Sequence, residues 1–219
     1  MSDADPAVQL SIINIDLLCT TSDLFMMPGD EIADVINAVL PNILETLAAH
    51  SGVLESVSNC RMLAVFSGME DHALKAVHCA SRLHSDIRTL TETRVGAGKR
   101  PVKLRIGIAT GQAQPQTYNH PNYSGASHIG EPLAQAEALA AVAHPGNTIL
   151  SGNTYSNIHD EISCRLVKQV RLHDYEESIK VYEILSDEAA ELAESQKDNR
   201  RKYPRLELNL PVTLQVAQW

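Results

Sequence analysis

The sequence is short of aromatic residues, which make up 4% of its 219 positions, and it has no surplus of positive charge. With 27 acidic and 18 basic residues it carries a formal charge of −9. A general binder of nucleic acid or of an anionic membrane needs the opposite balance. None of the four cysteines, at 19, 60, 79 and 164, stands in a CxxC spacing. They read as free thiols in a reducing compartment rather than as a disulfide framework or a zinc site. No run approaches the ~18 consecutive apolar residues of a membrane span, and the opening MSDADPAV lacks the basic and apolar segments of a secretory signal. The expectation is a cytoplasmic protein with no membrane insertion and no nucleic-acid partner.

Familiar catalytic signatures are missing too. There is no Gly-x-Ser-x-Gly elbow and no His-Glu-x-x-His pair. GAGK at Gly96–Lys99 fails as a phosphate loop, because Thr93 stands where its first glycine belongs and Arg100 where its magnesium-binding hydroxyl belongs. His72, His78 and His84 are six residues apart, a spacing that spreads them around a helix instead of stacking them as metal ligands.

What the chain does have is periodicity. Val8–Leu18 reads as a first strand with an acid, Asp16, near its end. From Asp30 to His50, Ile32, Val35, Ile36, Val39, Leu40, Ile43, Leu44 and Leu47 repeat with helical spacing. Pro41 is expected to kink that helix, and Ser51-Gly52 to end it. Val53–Gly68 reads as a hairpin turning across Ser58-Asn59-Cys60, with Asn59 suited to a positive φ and Arg61–Phe66 apolar enough for a central strand. A second amphipathic helix runs from Asp71 to about Leu90, and Gly96–Pro101 reads as a basic, flexible connection. Val102–Gln112 alternates as a strand, and Gln114–His128 is polar enough to read as a loop. A short helix follows from Glu131, with Pro132 in its first turn and Pro145-Gly146 beyond its end. Its alanine-rich face over 134–143 reads as tight packing. Strands are expected at Asn147–Ser151, Cys164–Leu172 and Ser178–Leu185.

The order β-α-β-β-α-β predicts an α+β fold with a ferredoxin-like core, helices packed on an antiparallel sheet. Asp187–Gln196 reads as a weak acidic helix, and KDNRRKYPR at 197–205 reverses the charge. LELNLPVTLQV then alternates like one strand without a partner, so 187–219 reads as a linker helix and the truncated start of a second domain.

Laid out this way, the chain resembles the class III adenylate/guanylate cyclase domain from about Val8 to Leu185. The residues that carry the resemblance are LSIINID in the first strand, GVLESVSNCRMLAVFSG at the hairpin, VKLRIGIATGQ, HIGEPLAQAEALA, HPGNTILSGNTYSNI and SIKVYEIL, in that order. The resemblance implies a nucleotide cyclase-like domain over 1–186. It also implies a chemistry in which two aspartates hold two divalent metals, a hairpin lysine selects the base, and an Asn and an Arg from a second subunit orient the ribose and steady developing charge.

Position by position, the resemblance implies that little of this machinery is present. Asp16 matches the first metal aspartate, but Cys60 stands at the second, beside Asn59 in place of a glycine. Ser56 replaces the lysine, Ala134 the Asn and Ala138 the Arg. Cys19-Thr20 replace the Gly-Phe of the phosphate turn. A neutral thiol is a poor ligand for a hard, oxygen-seeking cation, so Mg or Mn is expected only if residual activity exists. RRKYPRLELNLPVTL at the tail resembles the opening of a PilZ domain, with Arg201 and Arg205 in the RxxxR motif that grips cyclic di-GMP.

The expectation is therefore a non-catalytic cyclase-homology module for regulation or dimerisation, a homodimer, attached to a cyclic di-GMP receptor domain. Two alternatives stay open. One is an active cyclase with atypical ligands, such as Glu55 or Glu131 in place of the missing carboxylate. The other is a degenerate pocket that senses a nucleotide.

Overall fold

The computed structural model describes residues 6–17, 26–170 and 179–185. The chain divides after Ile184 into two units, and the described residues belong almost wholly to the first. Its strands are β1 (Val8–Asp16), β2 (Val53–Ser58), β3 (Arg61–Ser67), β4 (Arg105–His120), β5 (Tyr123–Ile129), β6 (Thr148–Ser151), β7 (Cys164–Val170) and β8 (Ile179–Ile184). The helices are α1 (Gly29–Ala49), α2 (His72–Gly96), α3 (Glu131–Val142) and α4 (Gly152–Ile158).

One sheet orders the strands β2-β3-β1-β4-β6-β8-β7, with β5 paired to β4 off this path. The first four are antiparallel neighbours, which is the ferredoxin-like βαββαβ core that the element order predicts. β4 and β6 pair in parallel through the crossover that contains α3.

β1 is central, so both its faces are buried, and alternate side chains enter two different cores. Ile13 and Ile15 join Met62, Ala64, Phe66, Ile106 and Ile108 under α1 and α2. Leu10 and Ile12 join Val65, Ala109, Ala136 and Leu139 under α3. By length and composition α1 is the one helix among the described residues apolar enough to cross a membrane. Its apolar stripe, Val35, Val39, Ile43 and Leu47, is instead packed in the first core. The helix runs on through Pro41.

α3 lies close on β4 because that strand offers two glycines beneath it. A Cβ on Gly107 would collide with the Ala136 carbonyl and the Ala140 amide, and one on Gly111 would come 2.8 Å from Pro132 Cγ. The tight packing expected of the 134–143 face is found here, with Ala136 and Ala140 buried against the strand.

Two local readings need correction. Gln114–His128 is not a loop. β4 continues through it and pairs with β5 from Gln114↔Ile129 to His120↔Tyr123. This ribbon is largely solvated, so it lacks the apolar alternation that marks a half-buried strand. α2 extends beyond Leu90 to Gly96. In the basic segment after it, Lys99 Nζ reaches Asp34 Oδ1 at 2.8 Å, and Arg100 pairs with Glu31 at 3.2 Å. α4 is an element for which the sequence reading named nothing. Its N-cap is Ser151, whose Oγ accepts from Thr154 N at 3.1 Å.

Candidate functional site

The β2–β3 hairpin turns at Asn59, which takes the expected positive φ of 54°. The turn is tied to the end of β1 by the Leu17 amide, which donates to the Cys60 carbonyl at 2.9 Å. Asp16 and Cys60 are therefore brought together, as the resemblance requires, but their side chains point to different environments. Cys60 is 1% exposed and belongs to the apolar cluster under α1 and α2. Burial, and next the charge of Asp16, hold its thiol above the ordinary range.

Asp16 lies on the other face, beneath α3. In register it stands opposite Arg61 on β3 and Arg105 on β4, so two guanidiniums flank it across the sheet. The Arg105 guanidinium donates to Asp16 Oδ2, with both side chains largely buried. It also donates to the Ala141 carbonyl at 3.4 Å, near the end of α3. Arg61 turns instead to Glu137 on α3, at 2.6 Å and in solvent. Next to Asp16 on the same face is Asn14, 5% exposed. Its Oδ1 and the Nε of Arg105 are buried atoms without a hydrogen-bond partner.

The other expected positions fall as follows. Ser56 is exposed on β2, Ala134 is exposed on α3, and Ala138 is half-buried there. No hydrogen bond forms from either alanine side chain, since a methyl group has none to offer. Glu131 is exposed in the first turn of α3. Glu55 sits where the β2–β3 register shifts, and both its oxygens are engaged by His128 at the end of the ribbon. Oε1 accepts from the His128 amide at 2.8 Å, and Oε2 lies 2.6 Å from the ring Nδ1. Both carboxylate oxygens of Glu55 are thus engaged within the molecule. Cys19, Thr20, Arg201 and Arg205 lie outside the described residues.

This donor set does not suit the pair of divalent cations that the resemblance implies. One carboxylate is already matched by a guanidinium, and the thiol at the second position faces an apolar core. Among the described residues no three His, Cys, Asp or Glu side chains group as metal ligands. The spaced histidines separate as well. His84 hydrogen-bonds Thr148 at 2.9 Å, and burial presses its pKa down to about 4. His72 Nδ1 is 2.9 Å from Ser11 Oγ, at one end of a buried hydroxyl chain.

Arg105, Asn14, Arg61 and Glu137 are the site residues that the sequence alone did not single out. Their only local signal was alternation: Arg105 is two residues before Gly107, the position over which α3 packs.

No family model matches the sequence, and no curated protein matches it. Solved structures do match its fold. One is the adenylyl cyclase CyaB from P. aeruginosa, at 19% identity and a TM-score of 0.77, over 83% of this chain and 96% of that one. The guanylyl cyclase Cya2 follows at 18% identity and a TM-score of 0.74, over 83% and 93%. The guanylate cyclase domain of RhGC from Catenaria anguillulae, solved in complex with GTP, gives 14% and 0.72 over 82% and 97%. The chain thus has the nucleotide-cyclase fold.

Proposed function

We propose that this chain is a catalytically silent cyclase-fold module, used for regulation or dimerisation in cyclic-nucleotide or cyclic di-GMP signalling. The observation that carries the reading is the pairing of Asp16 with Arg105 beside a Cys60 thiol packed in the apolar core. Loss of one preorganised charge-stabilising donor typically costs about 2.7–4 kcal/mol of transition-state stabilisation. Here the second metal carboxylate and the donors at Ala134 and Ala138 are replaced together. Even with strong non-additivity the rate falls by roughly 10⁴-fold or more.

The test is incubation of the protein with ATP or GTP and manganese. No cyclic nucleotide is expected above background; product whose formation is abolished by Asp16→Ala overturns the reading. The fold by itself is equally compatible with a working cyclase, and retention of Asp16 is the feature that favours one, so the same assay decides between them. Calorimetry with ATP, GTP and their cyclic products separately tests the nucleotide-sensing alternative.

A homodimer is part of the proposal. Among the similar structures, the guanylyl cyclase domain of the RhoGC fusion protein from Blastocladiella emersonii was solved both as a non-canonical dimer and as a monomer. Sedimentation of this chain at several concentrations settles which behaviour it shares. We also propose that 1–186 forms the cyclase-fold domain and that 187–219 opens a PilZ domain, with Arg201 and Arg205 binding cyclic di-GMP. Arginine suits that role through its planar, bidentate fork. Loss of cyclic di-GMP binding on Arg201→Ala in a chain carrying the complete second domain is the expected result.

A further inference from the structure

The hydroxyl chain that starts at His72 has no part in the proposed function, and its hydrogens can be assigned by counting. Ser11 Oγ, on β1, lies 2.9 Å from His72 Nδ1 and 2.7 Å from Thr110 Oγ1 on β4. Thr110 Oγ1 is 3.0 Å from Thr154 Oγ1 on α4, which also reaches Ser151 Oγ at 2.9 Å and the Ile108 carbonyl at 3.3 Å. The four hydroxyls are at most 1% exposed, and among the described residues their one further partner is the Thr154 amide on Ser151.

Each hydroxyl has one hydrogen to give, and a buried one is given to a partner. The hydrogen of Ser151 goes to Thr154 Oγ1, the acceptor within its reach. Two arrangements then remain. In the first, Thr154 donates to Thr110, Thr110 to Ser11 and Ser11 to His72 Nδ1, with the ring hydrogen on Nε2. In the second the ring donates from Nδ1 and each of these bonds is reversed, so that Thr154 turns to the Ile108 carbonyl. A mixed arrangement leaves two close oxygens with no hydrogen between them. The first uses only the shorter contacts, whereas 3.3 Å is long for a hydroxyl donor. An imidazolium carries hydrogen on both nitrogens and accepts only the second.

We infer that this chain is a two-state hydrogen-bond relay: protonation of His72 reverses every link between the ring and Thr154, so the first turn of α4 responds to proton uptake at the start of α2. The segments that carry or flank the chain bring little charge to the ring. Residues 8–11 of β1, 64–67 of β3, 108–112 of β4 and all of α4 include no acidic or basic side chain. Glu70 and Asp71 precede His72 in its own segment, and Asp71 also takes the Lys75 ammonium at 3.1 Å. Burial, opposed by Asp71, holds the ring below its ordinary pKa, so the neutral arrangement is the one present at pH 7. The relay does not depend on the silent-module reading.

The experiment is ¹⁵N and ¹³C NMR of the labelled full chain through a pH titration. At neutral pH the His72 ring hydrogen is expected on Nε2; a hydrogen on Nδ1 overturns the inference. As His72 takes up its proton, the Ile108 carbonyl signal is expected to shift with the same midpoint, because it gains the Thr154 donor. A carbonyl that does not follow the ring also overturns the relay. Thr154→Val keeps the branched shape but removes the hydroxyl through which the reversed chain ends. It is expected to lower the His72 midpoint by about one pH unit, and Thr154→Ser to restore it. An unchanged midpoint in Thr154→Val means separate hydrogen bonds and no relay. Should that variant fail to fold, the ring hydrogen and the Ile108 signal of the wild type decide.

Discussion

The two faces of the sheet are built on opposite plans. Under α1 and α2 lies a broad apolar layer with Phe66, Leu83, Ile43 and Leu47 fully buried. A run of hydroxyls crosses it, linking His72, Ser11, Thr110, Thr154 and Ser151 at 2.7–3.0 Å. Under α3 the layer is thin. Glycine and alanine let backbone meet backbone, and the end of β1 carries charge. The first face holds the domain together by burying area. The second depends on contact distance and on charge matching, which a substitution disturbs in a different way.

The largest test of that contrast is Gly107→Val. Its side chain meets the backbone of α3 at Ala136 and Ala140 and the Cβ of Leu139, none of which can swing aside, so a loss of roughly 3 kcal/mol or more is expected in denaturant unfolding. An equally large residue at Gly68, where nothing lies within 4 Å, meets only the strain of its positive φ and is expected to cost less. If Gly107→Val proves mild, close approach is not what seats α3.

Acid sharpens the contrast next, because it strikes the α2 face through His84. Burial lowers this group from 6.5 to about 4. The unfolded chain therefore takes up a proton that the folded one refuses. The stabilisation is complete above about pH 6.5 and declines as pH falls toward 4, by on the order of 3 kcal/mol in all. His72 is lowered in the same direction, chiefly by burial, and adds to the slope. His84→Gln should flatten the profile of stability against pH over that window; an unchanged profile removes His84 as its source.

A smaller effect is expected at the ribbon. Glu55→Gln keeps the shape but removes the charge from the His128 contact, with a cost of about 1–2 kcal/mol. The smallest is Arg61→Ala. Its pair with Glu137 is about half exposed on both sides, and the loss should stay below about 1 kcal/mol and vanish in high salt.

These differences also mark where the sequence was readable. Apolar alternation in Val8–Asp16 and helical spacing in 30–50 each record a single buried face, and the resulting core appears as expected. The ribbon buries little on either side, so its residues carry no such record. α4 is only seven residues long, too short for a helical period to show. At the site, the meeting of Asp16 with the hairpin turn was legible because it follows from strand order. The partnership with Arg105 was not. It joins residues 89 positions apart and exists only once the register is fixed. The direction in which Cys60 points was equally hidden, since a one-residue change of phase at a turn decides which side of the sheet receives a side chain.

The interruption of β2 at Glu55 has a consequence for how molecules of this protein meet. β2 ends the sheet, and Val53 and Val57 stand exposed on it. A straight, sticky border of that kind invites a stranger's strand to zip on and begin an aggregate. The offset between Leu54 and Ser56 breaks the border into two short pieces, and Glu55 at the break is held by the amide and ring of His128. A border broken in this way is harder for a further strand to extend.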